Sequence, residues 1–126
     1  MNALQENFIL WIHLSPEKWV LGFSEQEFLD VLKKMKSLDS IKNIVFEGQG
    51  AKAITTRGLI SLKKAVQICF RRGWTPSLWV PYPLRIILEK IGLSRLVSIQ
   101  MSPKVSETAF LAVSDMEKDW LWGEPE

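Results

Sequence analysis

The chain has 126 residues, 47% of them hydrophobic and 24% charged, with a formal charge of +2 and one cysteine. That length and balance describe one globular domain, able to bury roughly two-thirds of its unfolded surface without disulfides or metal. The charge is too small and too evenly mixed to argue for nucleic acid, and a lone cysteine excludes an internal disulfide.

In chain order, "NFILWIHL", with 8–14 at its core, is rich in aromatic and β-branched residues and predicts a strand. "SPEK" predicts a turn, and "WVLGF" (19–23) a second short strand, so the two would form a hairpin. The apolar run near the start is short and broken by His13, with no small-residue cleavage site after it. Neither a signal peptide nor a membrane span is expected, and a cytoplasmic setting is the default. Ser24-Glu25-Gln26-Glu27 is a capping box, in which the Ser24 hydroxyl accepts from the Glu27 amide and Glu27 reaches back. Phe28, Val31, Leu32 and Met35 then mark one face of a helix, whose last turns carry Lys33, Lys34 and Lys36.

"IKNIVFEG" (41–48) is a near-continuous apolar run that suits a buried central strand. A loop, "QGAKAI", leads into a helix over about Thr56 to Arg72, with Leu59, Leu62, Ala65, Val66, Cys69 and Phe70 inward and Gly73 as its stop. Cys69 among apolar neighbours reads as a buried inert thiol, the alternative being a reactive one. "PSLWV" (76–80) is another buried-type strand. "PYPLRIILEKIGL" is a helix with Pro83 at its first position, an inward stripe of Leu84, Ile87, Leu88 and Ile91, and Gly92 at its end. "LVSIQ" (96–100) predicts a last short strand. "KVSETAFLAVSDMEKDW" predicts a final helix with Ala109, Ala112, Val113 and Met116 inward, followed by a tail. The expected fold is α/β: a single domain, core about 7–118 and tail 119–126, with a central mixed sheet and about four helices in the order β-β-α-β-α-β-α-β-α. "NIVFE" and "SLWV" should be neighbouring strands, with Val45, Phe46, Leu62, Val66, Leu78, Val80 and Ile87 in the core.

Catalytic signatures are missing. The single histidine, His13, lies in an apolar strand and reads as structural rather than catalytic, and there is no HExxH and no Cys/His cluster. "EGQG" is neither a P-loop nor a dinucleotide fingerprint, and "GLISL" lacks the spacing of a nucleophile elbow. No enzyme, cofactor or metal is expected. Of six tryptophans, Trp120 and Trp122 sit beside the tail; exposed, they would suggest a contact surface, and otherwise they close an edge of the core.

The most informative stretch is "AITTRGLISLKKA" (53–65), with two hydroxyls at the mouth of a helix. Thr55 or Thr56 is a plain N-cap, or Thr56, alternatively Thr55, accepts a phosphate. A phosphate there would be held by the helix amides and Arg57, while its charge of about −1.5 to −2 would disturb a docked partner.

"IKNIVFEGQGAKAITTRGLISLKKAVQICFRRG" resembles the central segment of STAS domains, the sulfate-transporter and anti-sigma-factor-antagonist family. In that pattern a buried strand runs into a D-x-S-G-x-x-x-I-D-S-S-G-L-like loop and then a helix. Glu47 falls at the first acidic position, Gly50 at the loop glycine, Ile54 at the apolar residue, and Gly58 and Leu59 at the closing Gly-Leu. "LRIILEKIGLSRLVSI" resembles the family's later helix and its "GL-x-x-LF" ending. Thr55 replaces the family's Asp, and Thr56 stands at the phosphoacceptor. The resemblance implies a STAS-like fold and a regulatory module whose partner surface holds Thr55, Thr56, Arg57, Gly58 and Ser24. The implied partner is an anti-sigma-factor kinase or related ATPase that itself holds the ATP; neither nucleic acid nor direct membrane insertion is expected, and a homo-oligomer is possible. The other implied roles are an accessory subunit docked on a lipid-transporting ABC ATPase and a scaffold in a multi-STAS assembly.

Overall fold

The computed structural model describes residues 1–101 and 110–112. A five-stranded mixed sheet forms its centre. Strand β1 (Asn2–Glu6) pairs antiparallel with β2 (Ile9–His13). Strands β3 (Asn43–Glu47), β5 (Thr75–Val80) and β6 (Ser98–Met101) continue the sheet in parallel, in the order β1-β2-β3-β5-β6. Between them run helices α1 (Pro16–Leu21), α2 (Glu25–Lys33), α3 (Thr56–Arg71) and α4 (Tyr82–Lys90). A separate short pair joins β4 (Ala53–Thr55) to β7 (Phe110–Ala112).

All three parallel crossovers step across the sheet in one direction. Right-handed connections therefore put the helices on one face. The alternation of each strand agrees: Leu10 and Ile12, Ile44 and Phe46, Leu78 and Val80 are fully buried on the helical side. There they meet Phe28 of α2, Leu62 and Val66 of α3, and Leu84 and Leu88 of α4. "NIVFE" and "SLWV" are adjacent parallel strands as expected, with Phe46 opposite Leu78.

Several expectations change. The hairpin partner of β2 is β1, so the sheet begins before residue 7, and residues 19–21 belong to α1. Ser15 before Pro16, with Glu17 in the first turn, opens that helix; the apolar run that follows reads as a strand only in isolation. The stretch expected as a loop before α3 contains β4. Within the helix expected over 104–120, residues 110–112 form a strand, which pairing with β4 imposes; the rest of that helix, the tail and Trp120 and Trp122 lie outside the described residues. Phe70 points outward at 50% exposure, and Ile87 is only partly buried. Cys69 is fully buried, and burial pushes its thiol up to about 12, against the opposing pull of the Arg72 guanidinium.

Candidate functional site

Parallel strands end together, and the loops that follow them gather at that carboxyl end of the sheet. Here α1 fills the space between the end of β3 and the start of α3. Its Trp19 is 2% exposed and donates from Nε1 to the Leu14 carbonyl at 3.2 Å. Two glycines admit it. A Cβ at Gly48 would sit 2.5 Å from the Trp19 ring, and one at Gly58 only 1.9 Å from the Trp19 carbonyl oxygen.

The "TTRGL" stretch acquires its roles from this packing. Thr55 is the N-cap of α3: its hydroxyl accepts from the Gly58 amide at 3.3 Å and donates to the Val20 carbonyl. Thr56 opens the helix and is partly exposed, and Arg57 is exposed. Gly58, expected on the surface, is buried under α1 because the two backbones touch there. Ser24 caps α2, with Oγ 3.0 Å from the Glu27 amide. Glu27 does not close the second half of the box; its Oε2 lies 2.6 Å from Lys18 Nζ.

A residue that sequence reasoning passed over holds the arrangement together. Ser61, 8% exposed, donates to the Arg57 carbonyl at 3.0 Å and accepts from the Phe23 amide at 2.8 Å. It ties the α1–α2 turn to α3. Gly22, at φ +79°, makes that turn, and a Cβ there would lie 2.6 Å from Ser61 Oγ. Ser24 and Arg57 thus line one open cleft of about 510 Å³, with Leu21 and Ile60 on its walls. Beside it Val20 and Leu21 are exposed at 37% and 58%. Arg57 and Ser24 therefore share a surface, Thr56 is partly exposed next to Arg57 in the chain, and Thr55 and Gly58 build the scaffold beneath.

The sheet face away from the helices carries a second set. Trp11 and Trp79 pack with ring centroids 5.0 Å apart, and His13 Nδ1 lies 3.2 Å from Glu47 Oε1. With Leu4 and Asn2 they line a shallow hollow of about 470 Å³. Among the described residues no three His, Cys, Asp or Glu side chains come together as metal ligands, and no helix is long and apolar enough to cross a membrane. No family model, curated protein or solved structure matches this chain.

Proposed function

We propose that this chain is a non-enzymatic, STAS-type regulatory module resembling an anti-sigma-factor antagonist, whose protein partner docks at the carboxyl end of the sheet. The observation that carries the reading is the meeting of exposed apolar Leu21 with exposed Arg57 and Ser24 in one open cleft, with exposed Val20 and partly exposed Thr56 next to them in the chain. Apolar anchors ringed by polar groups are the usual anatomy of a docking patch. The topology supports it too: a hairpin followed by alternating helices and parallel strands is the order that the resemblance implies.

In this reading the partner is a cytoplasmic kinase of the anti-sigma-factor type that brings its own ATP. The Thr56 hydroxyl oxygen attacks the γ-phosphorus, ADP leaves, and the hydroxyl proton passes to a base of the kinase. The phosphate then sits between the α3 amides and Arg57. Its charge falls beside Leu21, where a docked partner would have to desolvate it, and the complex dissociates.

One observation favours a second reading. Thr55, which stands in place of the family's Asp, is committed to capping α3 and to the Val20 carbonyl. A surface built this way suits constitutive docking on an ATPase, such as the nucleotide-binding subunit of a lipid-transporting ABC complex.

The test is affinity capture with the full chain, with Leu21→Asp and Thr56→Asp alongside. The switch reading expects an ATP-binding kinase that both variants lose, and phosphate on Thr56 after incubation with ATP. A transporter subunit, with no phosphate on Thr56, selects the second reading. Equal capture by Leu21→Asp sinks the surface for both.

A further inference from the structure

The opposite end of the sheet has a different character. There the parallel strands begin and the helices that feed them finish. Lys33 ends α2, with Lys34 and Lys36 just after it; Lys42 precedes β3; Arg71 and Arg72 end α3. All six are exposed, and none forms an ion pair with a described carboxylate. Acids are not absent: Asp30 precedes Lys33 and Lys34 by three and four residues on α2, Glu6 and Asp39 are near in the chain, and Glu25 shares the groove between α2 and α3 with Arg71 and Arg72. Of the fourteen Lys and Arg in residues 1–101, six stand at this end, which makes it a basic pole of the described residues.

Two exposed phenylalanines stand in this field. Phe8, 56% exposed, is at the tip of the β1–β2 hairpin, where Asn7 takes φ +55°. Lys42 Nζ lies 5.2 Å from its ring centroid. Phe70 is 50% exposed at the end of α3. Backbone hydrogen bonds link the positions into one edge: the Lys42 amide donates to the Phe8 carbonyl at 2.9 Å, the Thr75 amide to the Lys42 carbonyl at 2.9 Å, and the Gly73 amide to the Phe70 carbonyl at 3.0 Å.

We propose that this end binds an anionic lipid surface, with Phe8 entering the headgroup region and the lysines and arginines resting on lipid phosphates and carboxylates. An aromatic side chain at a hairpin tip gains by leaving water, and each nearby cation adds attraction to an anionic leaflet. An acidic protein would use the cations too, but they are spread over the ends of α2 and α3 and the approach to β3, with Phe8 standing out at the hairpin tip, which suits a broad charged surface better than a compact apolar-centred patch. Such adsorption is peripheral and needs no spanning segment. It leaves the carboxyl end facing solvent and is independent of any partner there.

The test is co-sedimentation of the full chain with vesicles of phosphatidylcholine alone or with about 30% phosphatidylserine. Binding is expected only to the anionic vesicles and is lost as salt rises. Lys34→Gln, Lys36→Gln and Arg71→Gln should each weaken it about fivefold, and Phe8→Ser several-fold, with the circular dichroism spectrum unchanged. Lys52→Gln, at the other end, should leave it as it was. Equal binding to neutral vesicles, no binding, or no response to Phe8→Ser overturns the proposal. So does binding to soluble polyglutamate with none to vesicles, which would assign the pole to an acidic protein.

Discussion

The two ends of the sheet handle polar groups in opposite ways. At the carboxyl end they are spent on folding. Thr55 and Ser61 each bridge two segments, Gly22, Gly48 and Gly58 let α1 settle against its neighbours, and Lys18 pairs with Glu27. At the amino end the charges face water. Their clustering follows from the architecture, because helices in a parallel layer end there and cations favour helix C-termini. One end is thus a site whose shape depends on a few tight contacts, and the other a field made of many weak, separable contributions. Substitutions should therefore cost stability at the first and leave it nearly untouched at the second.

The largest effect should come from Gly58→Ala. A methyl group 1.9 Å from the Trp19 carbonyl oxygen forces α1 off α3, and urea unfolding should show a loss of about 3 kcal/mol or more. A loss under about 1 kcal/mol would mean that α1 does not pack there and that the contrast between the ends is wrong.

Next comes alkaline pH, which tests the core beneath the amino end. The Cys69 thiol, raised from an ordinary value near 9 to about 12, stays protonated in the folded chain while the unfolded chain ionises. Its contribution is complete below pH 9 and declines as pH rises, by up to about 1.4 kcal/mol per unit. Cys69→Ala should lower stability at neutral pH through the cavity it leaves, yet flatten that decline. Parallel slopes for the two proteins would show that the thiol is not buried.

Ser61→Ala should cost about 1–3 kcal/mol, since it strips the Phe23 amide of its acceptor. Thr55→Ala should cost about 1 kcal/mol as a lost cap. Both would register in thermal melts and would sharpen the division between scaffold and contact residues. The smallest effects belong to the amino end: Phe8→Ser and Lys36→Gln should each change stability by under about 0.5 kcal/mol. A substantial loss from either would mean that this end, too, is held by specific contacts.

Several elements were legible in the residues alone because their signals are local. The Ser24 cap and the Phe28–Val31–Leu32 stripe define α2 within about two and a half turns, and the apolar run of β3 requires burial on its own account. The 3.6-residue spacing of Leu59, Leu62, Val66 and Cys69, stopped at Gly73, determines α3. What tertiary structure decided was every pairing between distant segments. "NALQE" carries no strand signal strong enough to stand alone; it is a strand because β2 offers it an edge and Asn7 turns the chain. "WVLG" has the composition of a strand and becomes a helix because Trp19 finds Gly48 and Gly58 from that conformation. The placing of Thr55 inside the scaffold, with Thr56 next to it left partly exposed, had the same origin. A one-residue difference at a helix start is resolved by what packs across it, here the Val20 carbonyl of α1, and no periodicity within "AITTRGL" contains that contact.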